Sequence, residues 1–266
     1  MISRTLRLSD GTPVRVIEAG AGAPVLFLHG VGLRAEVWEP QMTALAASHR
    51  VIAADLPGHG ESGLLPGSPA LPDYVAWAAR LIAALGLGPV AVAGHSMGAL
   101  IALGLAVDRP DLVSRAALLC PVYRRSPEAR TAVLTRAEEI AVGRGGIDGP
   151  LSRWFGDETS RLRVQVAGWL RSVPQAGYAA AYRAFATGDT VYAHAVTAIA
   201  RPLLVLTADG DTNSNATMAR EMAALAPQGR AVVIAGHRHM VPLTAPQAVN
   251  AALQAWLTDA RREAAE

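Results

Sequence analysis

The chain has 266 residues, 51% of them apolar and 17% charged, with a formal net charge of +2. That balance provides a sizeable core in a domain of α/β size and excludes a disordered chain. All 24 cationic residues are arginine, which excludes lysine Schiff-base chemistry and a phosphate-loop lysine. The arginines are scattered rather than blocked, so no nucleic-acid partner is expected. The lone Cys120 has no intrachain disulfide partner and fits a reducing compartment.

The first stretch, MISRTLRLSDGTPVRVIEAG, alternates polar and apolar residues about Asp10-Gly11 and predicts a β-hairpin rather than a signal peptide. Apolar runs elsewhere are broken by Gly, Pro or charge well short of a membrane span, so a cytoplasmic protein without a membrane partner is expected. Pro24 to Gly30 reads as a buried strand and Glu36 to Ala47 as a helix. Arg50 to Leu56 is again strand-like, and Asp73 to Leu85 helical, with Asp73 as N-cap behind Pro72. Pro89 to Gly94 is a strand and Met97 to Val107 a helix, stopped at Arg109-Pro110. Ala116 to Cys120, Pro202 to Thr207 and Ala231 to Gly236 complete the strands. Strands apolar on both faces and separated by helices imply a mostly parallel sheet covered on both sides. Between Tyr123 and Ala200 only helical patterns occur. This predicts a core of residues 1–122 and 201–266 with a helical cap, 123–200, inserted after the sixth strand.

Gly94-His95-Ser96-Met97-Gly98 satisfies G-x-S-x-G between a predicted strand and a predicted helix. A serine there sits on a tight turn, its hydroxyl pushed above the sheet, and the Met97 N–H lies at a helix N-terminus where it can stabilise an oxyanion. A serine hydroxyl needs a base, and the base an orienting acid. Later strands lead into Ala208-Asp209-Gly210-Asp211 and into Gly236-His237-Arg238-His239-Met240, so the order Ser, Asp, His follows from strand positions. Two residues apart in an extended loop project alike, which leaves His237 and His239 both open. The second oxyanion donor is expected from the loop after Pro24 to Gly30, with the Val31 N–H as candidate.

Together LFLHGVG, DLPGHGES, AGHSMG, LLVLTADGD and HMVPL, in this order, resemble the α/β-hydrolase superfamily across nearly the whole chain outside the insertion. The resemblance implies an eight-stranded sheet with a helical cap and no cofactor; no His, Cys or carboxylate joins His237 and His239 at the spacing of a zinc motif, so no metal is expected. It aligns Asp211 and His239 with the acid and base, makes Asp209 and His237 bystanders, and makes His29 and His59 scaffold residues. The cap stretches RWFGDE (153–158) and AGYAAAYRAFATGD (176–189) resemble those of 3-oxoadipate enol-lactonases and related hydrolases, although the loop HGVGLR departs from the one common there. Trp154, Phe155, Tyr178, Tyr182 and Phe185 are candidates for a pocket wall or for plain cap packing. Arg34, Arg124, Arg125 and Arg183 are the arginines expected to receive a substrate carboxylate. His95 is expected to pack at the elbow, Cys120 in the core, and Arg238 in solvent or against an anionic group.

The resulting expectation is a serine hydrolase, monomer or homodimer, cleaving a small ester or lactone through an acyl-enzyme. Hydrolysis of an amide or a C–C bond by the same triad is the rival. A non-catalytic or single-turnover receptor on the same fold is the alternative of another class.

Overall fold

A computed structural model describes residues 1–156 and 160–259; Asp157 and Glu158, which belong to the cap resemblance, lie outside the described residues. In chain order the core opens with β1 (Ile2–Arg7), β2 (Pro13–Ala19) and β3 (Ala23–Leu28). A 3₁₀ turn (Ala35–Trp38) leads to α1 (Glu39–Leu45), β4 (His49–Ala54) and α2 (Leu71–Ala84). Then come β5 (Val90–His95), α3 (Met97–Asp108) and β6 (Val113–Leu119). Next are α4 (Pro127–Ala141), α5 (Asp148–Phe155), α6 (Arg161–Ser172), α7 (Gln175–Gly188) and a 3₁₀ turn (Val196–Ala198). The chain returns through β7 (Leu203–Ala208), α8 (Ala216–Leu225), β8 (Gly229–Ile234), α9 (Val241–Thr244) and α10 (Pro246–Leu257).

The eight strands form one sheet in the order β1-β2-β4-β3-β5-β6-β7-β8. Only β2 runs against the others: it pairs antiparallel with β1 and with β4, and every later pairing is parallel. The hairpin closes through Gly11 at φ +83°, a conformation that costs glycine nothing. β5 and β7 are buried along their whole length, which is why they read as unbroken apolar runs. α3 is buried from Met97 to Ala106 and carries no polar stripe. The order doubles back between β3, β4 and β5, and ligands of open α/β sheets bind at the carboxyl ends of strands around such a point.

Two local expectations shift. α2 begins at Leu71 with Ala70 as its N-cap, because Pro72 is accommodated in the first turn, where its missing N–H is not needed. Asp73 is therefore the third residue of the helix, and its carboxylate reaches back to accept the Ala70 N–H at 2.8 Å. The first core helix enters through the 3₁₀ turn, burying Trp38 against Phe27 with ring centroids 4.8 Å apart.

The helices between β6 and β7 close over the carboxyl ends of the strands. α7 approaches the loop after β4 at backbone contact: a Cβ on Gly177 would stand 2.0 Å from the Gly58 carbonyl oxygen. No helix among the described residues is long and apolar enough to cross a membrane.

Candidate active site

Ser96 sits between β5 and α3 at φ 56°, ψ −113°, a backbone conformation that L-residues rarely adopt and that marks stored strain. Its flanking glycines are required by close approach. A Cβ on Gly94 would lie 2.0 Å from the Gly98 carbonyl oxygen, and one on Gly98 would lie 2.1 Å from that of Leu28. The Ser96 N–H is anchored to the Leu119 carbonyl at 2.9 Å, so the turn is tied to the end of β6.

His239 Nδ1–H donates to Asp211 Oδ2 at 2.7 Å, and both side chains are buried. The other carboxylate oxygen accepts the N–H groups of Asn213 and Ser214 at 2.9 and 3.1 Å. Burial alone would raise the Asp211 pKa, but the His239 imidazole and these hydrogen bonds outweigh it and hold the carboxyl below its ordinary range. Asp211 is thus an anion at neutral pH that fixes the tautomer of His239 with Nε2 free to act as a base.

The neighbouring residues of these loops have other partners. His237 Nδ1 pairs with the Thr244 hydroxyl at 3.0 Å, and Asp209 accepts the Gly236 N–H at 2.8 Å. These two residues tie the β7 and β8 loops in place, and only Asp211 and His239 face each other.

Two residues hold His239 in a manner that motif reading missed. His95 Nε2–H donates to the His239 carbonyl at 2.8 Å, and the Cys120 thiol approaches the same oxygen at 3.6 Å. The His95 and His239 rings lie 4.8 Å apart, so His239 is packed directly against the Ser96 turn. Burial drives the His95 pKa down to about 3, and its Nδ1 has no partner among the described residues. Nothing in the local sequence signals this clamp, because its partner is 144 residues away.

The loop after β3 passes on the other side of Ser96. A Cβ on Gly30 would stand 3.0 Å from Ser96 Cβ, so the loop passes beside the nucleophile. The Gly32 N–H is taken by His59 Nε2 at 2.9 Å and the Leu33 N–H by the Gly30 carbonyl at 3.1 Å. Among the described residues no protein acceptor takes the N–H of Val31 or of Met97. His29 braces the same loop, accepting the Leu56 N–H at 2.8 Å through Nε2 while Nδ1–H donates to the Gly30 carbonyl at 2.8 Å. Burial keeps both scaffold histidines neutral, with pKa values pushed down to about 4 for His29 and about 3 for His59.

The cap contributes the roof. Trp154 stacks on His239, ring centroids 5.7 Å apart and planes 28° from parallel, and Tyr178 lies against Gly32 of the oxyanion loop. Tyr178, Tyr182 and Phe185 form an edge-to-face row along α7. None of the four arginines expected to receive a carboxylate is hydrogen-bonded or ion-paired to Ser96, Asp211 or His239. Arg34 is engaged by Glu36 at 2.8 Å. Arg125 is buried in an ion pair with Asp189, its guanidinium over the Phe185 ring at 4.5 Å. Arg124, at φ 45°, lies exposed over the Tyr123 ring, and Arg183 is exposed on α7. Only Arg183 is on a cap helix; Arg34 precedes the 3₁₀ turn and Arg124 and Arg125 lie in the loop before α4, where spacing carries no facing information.

The ligand atoms of His95, Cys120 and His239 fall within 4.8 Å of one another, the one grouping among the described residues that could hold a metal. Burial pushes the Cys120 thiol pKa well up, and the His95 Nε2–H and the Cys120 thiol already face the His239 carbonyl.

Comparison with known proteins fits this geometry. Residues 25–252 match the Alpha/beta hydrolase family. The chain is 49% identical to (E)-2-((N-methylformamido)methylene)succinate hydrolase of Acinetobacter baylyi, over 97% of this chain and 98% of that one. A thermophilic esterase from Thermogutta terrifontis, solved with malate bound, superposes with TM-score 0.87 at 27% identity, covering 97% and 98% of the two chains. The enol-lactonase from Burkholderia xenovorans shares the fold, with TM-score 0.86 at 22% identity over 96% of this chain and all of that one (100%). The chain belongs to the alpha/beta hydrolase family and is a hydrolase.

Proposed function

We propose that this hydrolase cleaves the amide bond of a small N-acylaminomethylene dicarboxylate through an acyl-enzyme on Ser96. The observation that carries the reading is the buried Asp211–His239 pair, 2.7 Å apart and packed against the strained Ser96 turn. His239 takes the Ser96 proton as the hydroxyl attacks the acyl carbonyl, and Asp211 stabilises the imidazolium that forms. The N–H groups of Val31 and Met97 hold the oxyanion, each contributing roughly 3–4 kcal/mol to the transition state. His239 then returns the proton to the leaving nitrogen, and water, deprotonated by His239, releases the acid. In such a substrate the leaving nitrogen is conjugated through C=C with a carboxylate, which eases its departure as an enamine.

The substrate class is supported by the Acinetobacter relative, which acts on a methylene succinate amide. A second reading, hydrolysis of a small ester or lactone by the same residues, is favoured by the likeness to the Thermogutta esterase. Steady-state turnover of an N-formylaminomethylene succinate, p-nitrophenyl acetate and a five-membered enol-lactone separates the two. Preference for the amide by kcat/KM supports the proposal; ester or lactone preference with an inert amide supports the second reading. A single turnover without recycling on all three would instead indicate a receptor.

A further inference from the structure

We infer that Arg15, in the N-terminal hairpin, is a positioning residue that acts through Asp55 and Glu36 to hold the oxyanion loop in register with Ser96. The assignment rests on the hydrolase reading above, with the Val31 N–H as an oxyanion donor, and adds a residue that touches no substrate.

Arg15 lies on β2, the strand that runs against the rest of the sheet, with 8% of its side chain exposed. Its Nη1–H donates to Asp55 Oδ2 at 3.0 Å and its Nη2–H to Glu36 Oε1 at 2.8 Å. Its Nε–H donates to Ser3 Oγ at 3.0 Å, so all three guanidinium nitrogens are engaged. Asp55, fully buried in the loop after β4, uses its other oxygen to accept the Ala35 N–H at 2.8 Å. Ala35 and Glu36 open the 3₁₀ turn that ends the oxyanion loop. Gly60, at φ +52°, closes over the carboxylate, since a Cβ there would stand 2.0 Å from Asp55 Oδ2. One guanidinium thus ties the far end of the loop to the hairpin twice.

Arg15 also grips the segment that braces the middle of the loop. Ser62 Oγ accepts the Arg15 N–H at 3.0 Å and donates to the Asp55 carbonyl at 2.8 Å. The Ser62 N–H donates to the His59 carbonyl at 2.9 Å, and His59 Nε2 takes the Gly32 N–H. From Gly30 beside Ser96 to Glu36, the loop is held at Gly32 and at its end by groups that converge on Arg15.

Stability alone does not require this arrangement. A buried ion pair contributes little beyond what apolar side chains of the same volume would, because both charges lose their hydration. Its directional bonds fix distances instead. An oxyanion donor works only when it lies roughly 2.7–3.1 Å from the developing charge, and a displacement of about 1 Å costs on the order of a hundredfold in rate.

The test compares Arg15→Met combined with Asp55→Asn, Glu36→Gln, and Arg4→Gln as the control. The double variant removes both buried charges together, and its asparagine oxygen still accepts the Ala35 N–H. Arg4→Gln removes an exposed ion pair of the same hairpin, with Glu18. Each is assayed on p-nitrophenyl acetate, and by fluorine NMR for binding of a trifluoromethyl ketone, which needs no turnover. Ser96 Oγ adds to the ketone carbon, its proton passes to His239, and the carbonyl oxygen becomes an anion facing the loop. The double variant should lose roughly ten- to a hundredfold in kcat with KM within about threefold, and ketone affinity should fall by the same factor. Glu36 is partly exposed, so its variant keeps the test valid if the double variant folds poorly; it should lose roughly three- to tenfold in both. Arg4→Gln should lose neither. A urea midpoint that falls while kcat and ketone affinity hold would show a merely structural role and overturn the inference, as would an equal loss in Arg4→Gln. The two readings fail separately. An inert amide substrate with Arg15-dependent ketone binding sinks the amide proposal and leaves the positioning role standing. A good amide substrate hydrolysed at the parent rate by the double variant does the reverse.

Discussion

Lowering the pH from 7 to 5 should destabilise this protein steeply, and the cause is three buried neutral histidines. His29, His59 and His95 are fully enclosed and hold folded-state pKa values of about 4, 3 and 3. Unfolded, each returns to about 6.5 and takes up a proton throughout this window, so the unfolded state binds more protons and stability falls with pH. The stabilisation is complete above pH ~6.5 and drains as pH drops toward the folded values, at about 2 kcal/mol per histidine between pH 7 and 5. Together that is roughly 6 kcal/mol, comparable with the whole stability of a typical domain, about 5–15 kcal/mol. Asp211, with its depressed pKa, acts lower, losing its contribution only as pH falls below the usual carboxylate range. Urea midpoints measured at pH 7, 6.5, 6, 5.5 and 5 give the slope directly. In His59→Gln, where the amide oxygen can still accept the Gly32 N–H, the loss between pH 7 and 5 should shrink by about 2 kcal/mol. A flat midpoint over this range would refute the reasoning.

Four further outcomes follow from particular residues. Gly98→Ala drives a methyl to 2.1 Å from the Leu28 carbonyl and should abolish folding or activity. Gly11→Ala, with open space but φ +83°, should cost only about 1–2 kcal/mol in thermal denaturation. Trp154→Leu removes the ring stacked on His239 and should lower kcat roughly 2- to 30-fold with little change in melting temperature, while Trp154→Phe retains most activity; unchanged kcat in the leucine variant would remove Trp154 from the site. Cys120, buried with its pKa driven up, should resist a thiol-reactive disulfide reagent at pH 8 in folded protein and react only in denaturant.

The sheet and its motifs were legible because their signals are local. A short apolar run bounded by Pro and Gly, such as Val90–Ala93 between Pro89 and Gly94, specifies a buried strand without knowledge of its neighbours. The glycines of the elbow likewise report a backbone approach that any side chain would block. What stayed hidden depends on residues far apart in the chain. The clamp of His95 and Cys120 on the His239 carbonyl joins three separate segments. The cap arginines were least legible of all. Arg125 and Arg136 look alike in sequence, yet one is sealed against Asp189 and the other pairs with Glu139 one turn along its own helix.

The most direct measurement is p-nitrophenyl acetate and N-formylaminomethylene succinate hydrolysis by the parent protein beside Ser96→Ala, His239→Ala and His237→Ala. With Ser96 as nucleophile and His239 as base, the first two variants should lose at least about a thousandfold in kcat, and His237→Ala should keep most activity. Survival of the His239 variant with loss of the His237 variant, or activity in Ser96→Ala, would contradict the account.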